Sequence, residues 1–247
     1  MTTIVLVPGA WLGAWAWEGV TAALREAGHD VRPLTLTGLA DRADEATPDV
    51  DLDTHVADIV DLVESEDLRD VILVGHSYGG MPVSVAARPL AERLAAVVYV
   101  DSGQLPEGLS QLDTNPPEAQ AQIRAAAAET GLVAPPAFDP AEDPVNLAGL
   151  DAAALRAMRD GATPHPFASM AQPLRYRPAA RAVATALVAC TFPEEQVRTM
   201  IKAGHPFFAA LADAEVISLP TGHWPMFSEP ARLAAVLDDI AQRSTGH

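Results

Sequence analysis

The 247-residue chain reads as a doubly wound α/β protein, a mostly parallel six-stranded sheet with an inserted helical cap, and three observations carry that reading. Short aliphatic runs recur at residues 3–7, 31–36, 71–74, 96–100, 184–189 and 215–219. They are continuous rather than alternating, as in strands buried on both faces of a parallel sheet. Helical patterns separate the early runs, giving the order βαβαβαβ and right-handed crossovers. After Val100 the rhythm stops, and roughly 80 residues pass before the next strand pattern, far more than an ordinary crossover needs.

Taken in order, the first run leads into a helical pattern over 15–27 that Gly28 ends. Asp53 is the candidate cap of a second helix over 53–64, in which Val56, Ile59, Val60 and Val63 share one face. Residues 104–182 form the expected cap, with alanine-rich helices at 117–130 and 151–160 and proline-rich joints at Pro135-Pro136 and Pro164-His165-Pro166. The core is then 1–103 together with 183–247, and a helix over 231–242 closes it.

Composition narrows the function. Apolar residues at 49% and charged residues at 20% describe a globular chain, not a disordered one. With 16 basic against 33 acidic side chains the net charge is −17, which repels nucleic-acid phosphates and anionic lipid. The expected partner is a small molecule, with no nucleic acid, no membrane and a monomer or homodimer. A lone Cys190 excludes an intrachain disulfide and a thiolate-cluster zinc site, so no metal or other cofactor is expected. The first residues run directly into an apolar strand without a leader pattern, so a cytoplasmic location is expected.

Directly after the third run stands Gly75-His76-Ser77-Tyr78-Gly79-Gly80, a G-x-S-x-G motif between strand and helix. In that setting the glycines permit a sharp turn that lifts the serine hydroxyl above the sheet edge, and Ser77 is the candidate nucleophile. The N–H of Tyr78, the next residue, is a candidate oxyanion donor. A serine needs a histidine base held in one tautomer by an acid. Of seven histidines, His223 follows the last strand in a loop that reaches the same edge. His76 is expected to point away from the serine, His29 and His55 to belong to surface elements, His165 to lie on the cap surface, His205 at a helix end and His247 at the terminus.

These residues resemble the α/β-hydrolase superfamily over nearly the whole chain. More narrowly, Val7-Pro8-Gly9-Ala10-Trp11-Leu12-Gly13-Ala14-Trp15 and the serine motif look like the plant methylesterase and hydroxynitrile lyase branch and its bacterial esterase relatives. The resemblance implies that the backbone of Ala10 supplies the second oxyanion donor. It implies a triad acid in a Cys-Thr-x-Asp segment, but this chain has Cys190-Thr191-Phe192-Pro193 there, and the usual aspartate is absent. Some haloalkane dehalogenases take the acid from the strand after the nucleophile, where Asp101 stands 24 residues beyond Ser77. Asp101 is therefore the expected acid, and Glu194 and Glu195 are the alternatives.

Trp11, Phe167, Phe192 and Trp224 are the expected substrate contacts, with Tyr78 near the same cleft. The expected activity is hydrolysis of a small, fairly apolar carboxylic ester through an acyl-enzyme. A ligand-binding protein without turnover and a cyanohydrin lyase are the rivals. The lyases of the branch carry a threonine and a lysine where Ala10 and the Trp224-Pro225 neighbourhood stand here.

Overall fold

A computed structural model describes residues 1–245, and His247 lies outside them. The expected sheet is present. Its strands are β1 (Thr3–Val7), β2 (Asp30–Pro33), β3 (Val71–His76) and β4 (Leu94–Val100), joined later by β7 (Ala184–Ala189) and β8 (Glu215–Ser218). The spatial order is β2-β1-β3-β4-β7-β8, and every pairing is parallel. From β1 the chain first winds outward to β2 and then returns to place β3 on the other side. The C-terminal ends of β1 and β3 thus flank the switch point where such sheets hold ligands.

Successive residues of each strand feed opposite sides of the sheet. Val5, Val7, Leu73, Val97 and Leu187 pack with Ile59, Val63, Met81 and Val85 of α2 (Leu52–Ser65) and α3 (Gly80–Ala86). Ile4, Leu6, Ile72, Val74, Val98 and Val188 pack instead with Val20 and Leu24 of α1 (Glu18–Glu26) and with Leu233 and Leu237 of α9 (Pro230–Thr245). Two buried faces per strand are why the runs read as continuous rather than alternating.

Helix α1 ends as its sequence suggests. Gly28 adopts φ +90°, and the His29 N–H reaches back to the Leu24 carbonyl at 3.1 Å, a Schellman closure. Helix α2 starts one step earlier than expected. Asp51, not Asp53, is the cap, its carboxylate accepting from the Thr54 N–H while Thr54 answers with its hydroxyl. The stripe that α2 buries is Leu52, His55, Ile59 and Val63, so His55 belongs to the core and not to the surface.

Between β4 and β7 the chain forms α4 (Pro117–Ala127), α5 (Ala152–Gly161) and α6 (Phe167–Ala171). It also forms what the sequence reading lacked, a two-residue antiparallel ladder of β5 (Leu132–Val133) and β6 (His165–Pro166). Helices α7 (Glu194–Lys202) and α8 (Pro225–Ser228) occupy the connections flanking β8.

Candidate active site

Three loops at the C-terminal edge of the sheet bring together the residues singled out from the sequence. Ser77 leaves β3 in a short 3₁₀ turn with φ +50°. The turn is possible because its glycines stand where no side chain fits: a Cβ on Gly75 would lie 2.7 Å from the Gly79 carbonyl oxygen, and one on Gly79 would lie 2.5 Å from that of Pro8. Ser102, just past β4, donates its hydroxyl to the Ser77 carbonyl at 2.6 Å and pins the bend from the other side.

His223 Nε2 lies 2.8 Å from Ser77 Oγ, and His223 Nδ1 lies 2.5 Å from Asp101 Oδ2. Asp101, at φ +42° just beyond β4, is 8% exposed at its side chain. Its Oδ1 accepts the N–H groups of Cys190 and Thr191 at 3.2 and 2.9 Å, and its Oδ2 also accepts the Thr191 hydroxyl at 2.5 Å. The Cys-Thr segment that lacks the usual aspartate is therefore the segment that cradles this one. Burial works to raise the Asp101 pKa, but the hydrogen bond and charge of His223 together with the Thr191 bonds outweigh it and hold the carboxyl at about 2. Glu194 and Glu195 open α7, where Glu194 pairs with Arg198 at 2.8 Å; carboxylates there suit the helix N-terminus.

The histidine loop is gripped from two directions. The buried His76 donates Nε2–H to the His223 carbonyl at 2.7 Å, and the His223 N–H donates to the Asn146 carbonyl at 2.7 Å. His76 thus points away from Ser77, as expected, and holds His223 by its main chain. Burial first, and then the neighbouring His223, push its pKa down to about 3, so it stays neutral.

Of the two candidate oxyanion donors, Tyr78 follows Ser77 directly. Ala10 follows Gly9, which packs so closely on the serine that a Cβ there would lie 3.2 Å from Ser77 Cβ and 2.7 Å from His76 Nδ1. The Tyr78 side chain is not in the cleft. It is 1% exposed, and its hydroxyl meets His55 Nδ1 at 2.7 Å.

A cavity of about 810 Å³ opens onto Ser77, Asp101 and His223. Trp11, Phe192 and Trp224 line it, as expected. Phe167 does not: its ring packs against the core beneath the Arg124 guanidinium, 5.9 Å from the ring centre, because α6 carries it beside α4 and away from the sheet edge. Phe138, Leu147, Phe207 and Phe208 line the cavity and had no motif to mark them. Four of the non-glycine residues at positive φ, namely Trp11, Ser77, Asp101 and Phe138, all face it. Such backbone costs on the order of 1–3 kcal/mol per residue and gathers where geometry serves a site.

The remaining histidines correct the surface assignments. His165 is fully buried, with its Nδ1 3.3 Å from the Trp11 amide nitrogen and its Nε2 2.9 Å from Ser169 Oγ. His55 Nε2 lies 2.9 Å from the Thr37 carbonyl oxygen. His29 pairs with Asp238 of α9 at 2.8 Å with only 6% of its side chain exposed. His205, exposed just after α7, reaches the cavity lining.

A parallel α/β sheet with a serine elbow, a histidine after its last strand and a buried acid between them is the architecture of a hydrolase fold. The chain belongs to the alpha/beta hydrolase family, whose family model matches residues 4–236. Among its relatives is the carbendazim hydrolyzing esterase of Nocardioides sp., 42% identical over 127 residues, a match covering 50% of this chain and 52% of that one. Methyl jasmonate esterase 1 of Vitis vinifera is 39% identical over 102 residues, covering 40% of this chain and 38% of that one. The chain spans about half the length, or less, of the curated relatives it matches. An extracellular α/β-hydrolase from a Paenibacillus species superposes with a TM-score of 0.77 at 21% identity, covering 97% of this chain and 98% of that one, a likeness of fold. The resemblance to plant methylesterases and bacterial esterases holds. Among the described residues no helix is long and apolar enough to cross a membrane.

Proposed function

We propose that this chain is a serine hydrolase that cleaves small, fairly apolar carboxylic esters, with Ser77 as nucleophile, His223 as base and Asp101 as the acid that orients it. The observation that carries the reading is the unbroken line from Asp101 Oδ2 through both nitrogens of His223 to Ser77 Oγ at the floor of a cavity. With a carboxylate on Nδ1, the imidazole keeps its proton there and offers the Nε2 lone pair to the serine hydroxyl. Ser77 Oγ attacks the ester carbonyl as His223 takes its proton, and the amides of Ala10 and Tyr78 receive the negative oxygen. His223 then protonates the departing alcohol, and a water activated the same way releases the acid from the acyl-enzyme. In this reading residues 104–182 act as the cap over 1–103 and 183–247. Relatives named for ester hydrolysis support the same chemistry.

A fluorophosphonate is the direct test. It is expected to label the chain once, at Ser77, with labelling lost in Ser77→Ala and reduced at least about 100-fold in rate in His223→Ala. A folded protein whose Ser77 stays unreactive would instead be a ligand-binding member of the fold.

The cavity's charge sets a further expectation. Asp113, Asp139, Glu142 and Asp143 line it beyond the candidate triad, no Lys or Arg does so among the described residues, and the whole chain carries −17. A carboxylate-bearing ester must enter against that field, whereas a neutral one need not. Paired substrates of equal size, one neutral and one carboxylated, are expected to differ by about 10-fold or more in kcat/KM at low ionic strength. The gap should shrink in 0.5 M salt, where the screening length falls to a few ångströms. Equal values at low salt would exclude this field as a selector.

A further inference from the structure

We propose that His165 is a positioning residue for the oxyanion loop, its Nδ1 holding the Trp11 amide and so fixing the N–H of Ala10 beside Ser77. The proposal rests on the serine-hydrolase reading above.

Trp11 is the residue that needs holding. A tryptophan at φ +66° occupies a conformation that bulky side chains avoid, and it persists only where its surroundings insist on it. Those surroundings come from the segment between β4 and β7. The Trp11 N–H donates to His165 Nδ1 at 3.3 Å, its carbonyl accepts from the Thr163 N–H at 2.9 Å, and its indole Nε1–H donates to the Val133 carbonyl at 3.1 Å. Of these three anchors, His165 alone acts through a side chain. It also holds the amide that directly follows Ala10.

The tautomer needed for this is built in. Ser169 donates its hydroxyl to the Pro166 carbonyl at 2.8 Å, so its oxygen is free to accept from His165 Nε2–H at 2.9 Å. With the proton on Nε2, Nδ1 keeps its lone pair for Trp11. The ring stands edge-on to Tyr78, with centroids 4.5 Å apart, so one buried imidazole touches the residue that follows one candidate oxyanion donor, Ala10, and the side chain of the other, Tyr78. Burial also lowers the His165 pKa well below the ordinary histidine value, which preserves that lone pair.

Two near-isosteric variants separate this role from simple packing. His165→Asn keeps an acceptor where Nδ1 was and gives up the contact with Ser169. His165→Gln keeps a group near Nε2 and presents nothing to Trp11. Positioning predicts that the Asn variant retains kcat within about 5-fold while the Gln variant loses about 30- to 100-fold with KM within about 3-fold. Affinity for a trifluoromethyl ketone should fall with kcat, and affinity for the product acid should not. The pH profile should keep its shape. A Gln variant that melts earlier yet turns over like wild type per phosphonate-titrated site would overturn the proposal, as would equal losses in both variants. Should neither variant fold, Ser169→Ala removes the partner of Nε2–H from outside the ring. It is then expected to lower kcat about 10-fold, and an unchanged kcat would overturn the proposal. Wild-type protein without ester turnover or phosphonate labelling would sink the hydrolase reading and this role with it. Active wild type with a fully active Gln variant would sink this role alone.

Discussion

Asp101→Asn is expected to lower kcat on a reactive ester by about 10⁴-fold, the size of effect seen when a triad acid elsewhere is made an amide. The surroundings of Asp101 decide which way the new amide would sit. Oδ1 accepts two backbone N–H groups, from Cys190 and Thr191, and can only be replaced by the amide oxygen. The NH₂ group then falls at the Oδ2 position, facing His223 Nδ1. A donor there forces Nδ1 to accept, which moves the imidazole proton to Nε2, the atom that must receive the proton of Ser77. The base is present but in the wrong tautomer. Glu194→Gln and Glu195→Gln, at the exposed start of α7, should leave kcat within about 2-fold, because neither carboxylate contacts the His223 ring. Steady-state kinetics on the three variants, each checked for folding by circular dichroism, decides the matter. A collapse in either glutamate variant with Asp101→Asn still active would transfer the acid's role to the α7 loop.

Asp101 also shows how far the sequence could be read. The serine was legible because a motif and a strand-to-helix setting coincide, and His223 because parallel topology sends every post-strand loop to one edge. Asp101 came from a likeness to dehalogenases that carry the acid on the strand after the nucleophile, since proline fills the position where the methylesterase branch places it. What could not be seen was the cradle: Thr191 stood in plain view two residues before a missing aspartate, but its two bonds to an acid 90 positions away belong to tertiary structure. His55 carried an overlooked signal, since it lies four residues before Ile59 on the buried stripe of α2 and only its polarity argued for the surface. His165 carried none. Its burial comes from a two-residue ladder too short to create any periodicity, and the same ladder precedes the turn that carries Phe167 away from the cavity. Phe138 reaches the cavity from an irregular segment at φ +47°, a conformation that no residue pattern announces.

Those buried histidines give the second large expectation: the fold should lose stability steeply as pH falls from 8 to 5. His55, His76 and His165 are each fully buried, and burial lowers the pKa of each. The unfolded chain takes up a proton on such a histidine near pH 6.5, while the folded protein does so only at lower pH, much lower for His76 and His165. Acid therefore favours unfolding across the interval. The stabilising contribution is whole above about pH 7 and is lost as pH falls toward the folded value, which for His76 is about 3. His76 alone then costs about 2 kcal/mol by pH 5, and His55 and His165 act in the same direction, against a typical total of about 5–15 kcal/mol. Relief of the −17 net charge opposes this, but carboxylates with ordinary pKa values near 4 stay ionised down to pH 5, so little relief arrives within the window. Asp101, held at about 2, adds its own loss only below about pH 4. Urea unfolding followed by tryptophan fluorescence at pH 8, 7, 6 and 5 should show the unfolding free energy falling ever faster with acid. His165→Gln should flatten the curve by as much as about 1.4 kcal/mol per pH unit, the contribution of one proton. Equal stability at pH 8 and pH 5, or a Gln variant whose curve runs parallel to wild type, would mean that these imidazoles take up protons inside the fold, and that His165 cannot be the fixed acceptor on which the oxyanion loop depends.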